Sequence, residues 1–205
     1  MKNLRQILPV VVIEKFKNYK DLLSWVRNGF SENAPQFVKE KILKRHAIDN
    51  APWIETGTYY GTTTKFLIKS FPKVYTIEPD ENLFNEAIKR FKFKNVELFN
   101  GVSEDVLPKL LPKLDGNLNF WLDGHYSEGI TFLGKKVCPV EEELIAIEDN
   151  LKFFEKVNIF IDDSRCFISD FTIQEYPSID FVIDWARQNK FSWHIEQDII
   201  ILKKN

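Results

Sequence analysis

The 205-residue sequence has little cysteine and almost no net charge. Its two cysteines, Cys138 and Cys166, cannot form a disulfide framework and belong to no CxxC or Cys/His zinc spacing, so we expect a reducing, cytoplasmic environment. Lysine and arginine number 28 against 30 aspartates and glutamates, which leaves a net charge of -2. Because nucleic-acid binders usually carry a basic excess, we expect no nucleic-acid partner, although the net charge does not exclude a local basic patch.

Long apolar runs are also missing. No stretch approaches the ~20 apolar residues of a membrane-spanning helix, so we expect no membrane segment. The apolar run at 7–13 is short, is followed by Glu14 and Lys15 and has no small-residue cleavage site. We expect a strand or a docking segment there rather than a signal peptide. Phenylalanine is abundant, with 18 residues, and 44% of the chain is hydrophobic, which predicts a globular domain with an aromatic core.

The first fifty residues differ in pattern from the rest. A helix is predicted to end at Gly29, because apolar residues recur before it at helical spacing: Phe16, Tyr19, Leu22, Leu23 and Val26. A second helix is predicted to begin at Pro35, since proline is tolerated in a first helical turn. We therefore predict an N-terminal helical extension over residues 1–50.

Over residues 51–205, short strands alternate with helical stretches. The predicted strands lie at 53–56, 74–78, 96–99, 118–122, 157–161, 191–196 and 198–202. Strands joined by crossover helices give a parallel, doubly wound sheet, and the last two runs give an antiparallel hairpin. We therefore predict one α/β domain over residues 51–205, with a doubly wound, mostly parallel seven-stranded sheet and a C-terminal antiparallel hairpin.

Polar residues follow five of the predicted strands, at the edge where such sheets bind ligands. Gly57 allows a tight turn after the first strand, and Gly61 allows the next helix to approach the sheet. These glycines alone are equally typical of a simple strand-to-helix turn, and neither a P-loop nor a full GxGxxG is present. Glu78, at the end of the next strand, is placed to accept hydrogen bonds from both hydroxyls of a ribose.

The ordered set of strand-end residues resembles the class I S-adenosylmethionine-dependent methyltransferases, which have a Rossmann-like sheet. The set runs Glu55-x-Gly57-x-x-x-Gly61, Glu78, Asn100-Gly101-x-Ser103, Asp123. The resemblance implies that Glu55 and Gly57 lie along the methionine end, that Glu78 holds the ribose and that Gly101 to Ser103 border the adenine. It implies the following donor-binding residues: Glu55, Thr56, Gly57, Thr58, Tyr59, Gly61, Thr62, Glu78, Gly101, Ser103 and Asp123.

Downstream residues are similar to those of the metal-dependent, macrocin-type sugar O-methyltransferases. That group has Asp-Gly-Asp after the fourth strand and Asp-Asp after the fifth, which bind magnesium. Here the fourth strand is followed by Asp123-Gly124-His125 and the fifth by Asp162-Asp163, so His125 replaces one acid. Carboxylates that converge repel one another unless a cation or protons intervene, which favours a Mg²⁺ site formed by Asp123, Asp162 and Asp163.

The resemblance implies methyl transfer from S-adenosylmethionine to a hydroxyl of a small molecule, a sugar or polyol, with help from a divalent metal. Asp123 or His125 would take the proton. The N-terminal extension would then serve as an acceptor lid or as the contact of a homodimer. Two alternatives stay open: a nicotinamide-dependent oxidoreductase, disfavoured by the missing third glycine and by the hairpin, and a protein that binds S-adenosylmethionine without catalysis.

Overall fold

The computed structural model describes residues 10–30, 34–92, 94–124, 137–168 and 176–204, with the backbone alone for residues 10–17. Its helices are α1 (Val10–Arg27), α2 (Gln36–His46), α3 (Thr62–Ser70), α4 (Glu81–Phe91), α5 (Ser103–Leu110), α6 (Val140–Asn150), α7 (Arg165–Ile168) and α8 (Ile179–Gln188). Its strands are β1 (Trp53–Thr56), β2 (Val74–Glu78), β3 (Val96–Asn100), β4 (Gly116–Leu122), β5 (Phe154–Ile161), β6 (Ser192–Glu196) and β7 (Ile199–Lys204).

The seven strands form one sheet in the order β3-β2-β1-β4-β5-β7-β6. The first five strands are parallel, whereas β7 is antiparallel to both β5 and β6. This confirms the predicted doubly wound sheet with its C-terminal hairpin. The chain runs outward from β1 to β3 and then returns to β4, so the strand order reverses between β1 and β4, which is where such sheets bind ligands.

Helices cover both faces of the sheet, because alternate residues of a strand point to opposite faces. Phe120 of β4 belongs to an apolar cluster with residues of three helices: Leu107 of α5, Leu144 and Ile147 of α6, and Val182 and Trp185 of α8. Trp121, the next residue, belongs to the opposite cluster together with Trp53, Phe160, Ile42 and Leu43 of α2, and Leu67 of α3. The carboxyl ends of the parallel strands therefore form an edge between two packed layers.

The N-terminal helices begin and end close to the predicted residues. Gly29 follows α1 with a φ of +67°, and Pro35 directly precedes α2. Residues 10–13, predicted as part of a strand or docking segment, lie in α1, so a strand is wrong for them; residues 7–9 are outside the described part. β-Branched residues cost a helix only a few tenths of a kcal/mol each, roughly, and the remainder of α1 outweighs this. No helix within the described ranges is both long and apolar enough to cross a membrane.

Candidate functional site

The turn after β1 brings two backbone segments unusually close together. Gly57 has a φ of +87°, and a Cβ built there would lie 2.4 Å from the backbone oxygen of Asp123. Gly57 N donates to Ile77 O of β2 at 3.0 Å, and Asp123 N donates to Thr56 O at 3.1 Å. The loop is thus held between the ends of β2 and β4. Only glycine fits this position, which keeps bare backbone beside the point where the strand order reverses.

Gly61, the second glycine, is required by packing of the following helix. It lies directly before α3 with a φ of +68°, and a Cβ there would lie 2.6 Å from the ring of Phe91. Between the two glycines, Thr58 is buried, whereas Tyr59 and Tyr60 are each 43% exposed with ring centroids 4.2 Å apart. The loop therefore presents aromatic side chains to solvent, and buried polar side chains lie beneath it.

Glu55 is one of these polar residues and is fully buried at the end of β1. Its Oε2 accepts hydrogen bonds from the hydroxyls of Thr64 and Thr76, each at 2.6 Å, whereas Oε1 has no partner within the described residues. Burial raises the pKa of Glu55 to about 7, although the two threonine hydrogen bonds act in the opposite direction. The carboxyl group therefore titrates near neutral pH and supports the loop from below.

Glu78 occupies the equivalent place at the end of β2. Its Oε2 accepts from Tyr59 N at 2.7 Å and its Oε1 accepts from Asp80 N at 3.0 Å. Burial raises its pKa, and these backbone hydrogen bonds oppose that shift. Since each carboxylate oxygen has two acceptor positions, both oxygens can still accept a further hydrogen bond.

The end of β3 lies directly beside Glu78. Gly101 N donates to Glu78 O at 3.1 Å, and the side chain of Asn100 donates to the same oxygen at 2.9 Å. Ser103, buried, is the first residue of α5. The predicted neighbours of an adenine therefore stand next to the predicted ribose ligand.

A second group of charges lies at the end of β5. Asp162, buried, accepts a hydrogen bond at Oδ2 from Nζ of Lys39 in α2, at 2.5 Å. The same ammonium is 3.9 Å from Oδ1 of Asp163, which is also paired with Arg165 at 2.8 Å. Arg165 in turn is paired with Asp198, in the turn before β7. These acids are therefore neutralised in part by cations of the chain itself.

Lys39 is a cation in this setting despite being only 8% exposed. Burial, the largest single effect, lowers its pKa, but the charge and hydrogen bond of Asp162 and the charges of Asp123 and Asp163 together raise it above the ordinary value. Burial raises the pKa of Asp162, and the ammonium of Lys39 opposes that shift. Attraction to three acids thus keeps Lys39 protonated.

Comparison with solved structures identifies this architecture. The 23S rRNA methyltransferase ErmE has a TM-score of 0.54 at 15% identity, with 84% of this chain and 69% of that chain covered. The N-methyltransferase NodS from Bradyrhizobium japonicum WM9 has a TM-score of 0.54 at 11% identity, with 82% and 94% covered. No protein-family model and no curated protein matches the sequence.

The chain has the Rossmann-like methyltransferase fold. At these identities the similarity concerns the fold and not the acceptor. Neither of the two structures is described as a sugar O-methyltransferase, so the macrocin-type resemblance stays a prediction.

Within the methyltransferase fold, the predicted donor-binding residues come together at one edge of the sheet. Hydrogen bonds or close backbone contacts link the ends of β1, β2, β3 and β4 through the following residues: Glu55, Thr56, Gly57, Thr58, Tyr59, Glu78, Gly101 and Asp123. Thr62 starts the helix that follows this loop, Gly61 directly precedes it, and Ser103 starts α5. His125, predicted as a proton acceptor, lies outside the described residues.

Sequence reasoning missed Lys39, which is 123 residues away from Asp162 along the chain. Its position carried a signal, because Lys39 stands three and four residues before Ile42 and Leu43, the residues of α2 that are buried in the core. That spacing places the lysine on the buried face of the helix. A lysine there needs a carboxylate partner.

One group of side chains in the described part could hold a metal by proximity, and it is not the predicted one. The ligand atoms of His46, His194 and Glu196 lie within 4.8 Å of one another. Both ring nitrogens of His46 are already engaged, Nε2 with Glu196 at 2.8 Å and Nδ1 with Lys203 at 2.9 Å. We therefore interpret the group as a hydrogen-bonded polar contact between α2 and the C-terminal hairpin.

Proposed function

We propose that this protein transfers a methyl group from S-adenosylmethionine to a hydroxyl of a small molecule, with a sugar or polyol as the acceptor class. The observation that carries the proposal is the cradle between Gly57 and Asp123, which the Cβ of any other residue would fill. Together with Glu78 at the next strand end, it offers bare backbone and two acceptor oxygens at the point where the strand order reverses.

The residues present fit the donor. Glu78 would hold the ribose hydroxyls, Gly101 and Ser103 would border the adenine, and the loop from Gly57 to Tyr59 would lie along the methionine part. Glu55 supports this loop through Thr64 and Thr76. When bound, S-adenosylmethionine supplies a methyl group whose carbon–sulfur bond breaks as a carbon–oxygen bond to the acceptor forms, leaving S-adenosylhomocysteine and one proton.

Asp123 is the residue that we assign to proton acceptance. Its backbone is fixed, because its N–H is bonded to Thr56 of β1, whereas its side chain is partly exposed at the edge of the site. A carboxylate at this place can orient a hydroxyl and accept its proton. His125, two residues later, shares this predicted role.

The N-terminal helices are the proposed lid of the acceptor pocket. A cavity of about 280 Å³ lies between α1, α2 and α3, and its lining includes Asp21, Phe37 and Thr62. Thr62, the first residue of α3, is also one of the predicted donor-binding residues. This arrangement supports an acceptor that enters between the extension and α3.

The predicted magnesium site is already next to a positive charge, the ammonium group of Lys39. Lys39 Nζ is 2.5 Å from Asp162 and 3.9 Å from Asp163, where a metal would be bound. At an effective dielectric constant near 20, two unit charges 4 Å apart interact by about 4 kcal/mol, so a divalent ion beside this ammonium would be repelled by about twice that. Asp123, Asp162 and Asp163 also do not form a group with one ligand atom each within 4.8 Å of one another. In this arrangement the residues do not fit a divalent ion, and we assign no step to one.

RNA is the competing acceptor class, because one of the similar structures is described as an rRNA methyltransferase. Two exposed lysines of α3, Lys65 and Lys69, are the local feature that favours it, and both also line the cavity between α1, α2 and α3. Incubation with methyl-labelled donor and either total RNA or a mixture of sugars and polyols separates the two classes. Label in RNA alone would replace the proposed acceptor and leave the donor assignment intact.

The donor assignment is tested by calorimetry of the whole protein with S-adenosylmethionine and with NAD. We expect binding of the methyl donor alone, and loss of affinity by about tenfold or more in Glu78→Gln, since one charged acceptor becomes an amide. Glu86→Gln, at an exposed site of α4, is the matched control and should bind as the wild type does. Binding of NAD alone would favour the oxidoreductase, and binding of neither would overturn the proposal.

A further inference from the structure

The two acids at the end of β5, Asp162 and Asp163, lie beside an internal cation. The ammonium of Lys39 is hydrogen-bonded to Asp162 and close to Asp163, and its pairing joins α2 of the N-terminal extension to the end of β5. It also interacts electrostatically with Asp123 at the end of β4. The same three acids are those that the sequence predicted to share a magnesium ion.

We propose that Lys39 takes the place of a divalent cation among Asp123, Asp162 and Asp163, so that methyl transfer in this protein needs no metal. This rests on the proposed function, since it concerns the acceptor side of that site. A cation is required there because Asp162 and Asp163 are both buried at the end of β5, and burial raises the pKa of Asp162. Lys39 supplies the positive charge from a helix that packs on the sheet.

Lys39 is a positioning residue in this scheme. It is paired with Asp162 and shares Asp163 with Arg165, whereas Asp123 is the partly exposed carboxylate of the group. Because the ammonium is covalently part of the chain, its charge cannot be removed by chelators. The acceptor then meets a fixed charge distribution at the ends of β4 and β5.

The first test titrates the wild-type protein and Asp162→Asn with Mn²⁺, observed by electron paramagnetic resonance. We expect the two proteins to bind Mn²⁺ equally weakly, because Lys39 already occupies the site. Binding by the wild type that is lost in Asp162→Asn would overturn the proposal. This arm needs no variant of Lys39 and no acceptor.

The second test removes the ammonium. Lys39→Met should gain Mn²⁺ affinity by about tenfold or more over the wild type, and the gain should vanish in Lys39→Met/Asp162→Asn. Lys41→Met, on the exposed face of the same helix, is the matched control and should show no gain. Because Lys39→Met leaves a buried carboxylate without its cation, Lys39→Gln, which can still donate a hydrogen bond to Asp162, is the second variant.

A merely structural ion pair would lower the stability of both Lys39 variants without creating a Mn²⁺ site. Correctly folded Lys39 variants that bind no more Mn²⁺ than the wild type would therefore overturn the proposal. Calorimetry with S-adenosylmethionine on the same wild-type preparation, with and without chelator, tests the donor assignment separately. Failure to bind the donor would remove the proposed function and leave the Mn²⁺ results to decide the role of Lys39.

Discussion

At Gly57, both the backbone geometry and the proposed donor site require a residue without a Cβ. Gly57→Ala would place a Cβ 2.4 Å from the backbone oxygen of Asp123 at a φ of +87°. The ends of β1 and β4 would have to separate, so we expect lower stability and a loss of S-adenosylmethionine affinity of about tenfold or more. Thermal unfolding and calorimetry of the variant measure the two effects.

Gly116→Ala is the matched control for that substitution. Gly116 also has a positive φ, +73°, but no atom lies within 4 Å of a Cβ built there. We expect Gly116→Ala to lower the free energy of unfolding only by the strain of the left-handed backbone, about 1–2 kcal/mol, and to retain donor binding. Equal effects of the two substitutions would contradict the importance of the close approach.

Glu55 makes stability depend on pH in an unusual direction for an acid. Burial raises its pKa from 4.5 to about 7. Between these values the folded protein binds more protons at Glu55 than the unfolded chain does, so this residue lowers stability progressively as pH rises. The penalty is absent below about pH 4 and complete above about pH 7, where a shift of this size corresponds to about 3 kcal/mol.

Glu55→Gln should therefore gain stability relative to the wild type as the pH rises. The amide oxygen can still accept from Thr64 and Thr76, whose hydroxyls donate to Oε2 of the native residue. Urea unfolding at pH 5 and pH 8 measures the difference. Glu86→Gln, at an exposed site of α4, should show none, and a Glu55→Gln effect that is constant across this range would contradict the raised pKa.

Among the elements, α2 is joined to the sheet by a buried asparagine of β4. Asn119 accepts from Ile48 N at 2.8 Å and donates to Ile48 O at 3.1 Å, directly after α2. Asn119→Ala would leave both backbone groups without this partner, and we expect a loss of about 1–3 kcal/mol in urea unfolding. Asn117→Ala, on the same face of β4, is the control, because its Oδ1 has no hydrogen-bond partner within the described residues. Equal losses would contradict the role of Asn119.

The strands and most helices could be predicted from the sequence because their patterns are local. Glu55, Glu78 and Asp123 could be placed together, since parallel strands end at one edge of a sheet. The order of the last two strands was not predicted, although the buried run from Ile199 to Leu202 is typical of an inner strand and exposed Trp193 of an edge. The pairing of Lys39 with Asp162 depends on how α2 docks, which no local pattern encodes.

At the scale of the whole molecule, the two N-terminal helices differ in how much of the core they supply. From α2, Ile42 and Leu43 are at most 2% exposed and pack with Trp53, Trp121 and Phe160 on one face of the sheet. Of the described side chains of α1, Tyr19 is 59% exposed and Val26 is 45% exposed, whereas Trp25 is buried. Removing α2 would therefore uncover an aromatic face that removing α1 leaves covered.

This difference predicts the result of two truncations, and it tests the domain boundary at residue 50 that we infer from the sequence. Removal of residues 1–33 should lower the stability less than the further removal of residues 34–47 does. The second truncation deletes Ile42, Leu43 and Lys39, the partner of Asp162. Each buried leucine or isoleucine alone contributes about 2–5 kcal/mol, a large share of the total stability of a domain. Thermal unfolding of both truncated proteins measures this. Equal stability of the two would show that the fold begins at β1, whereas loss of folding only in the shorter protein would place α2 within the domain.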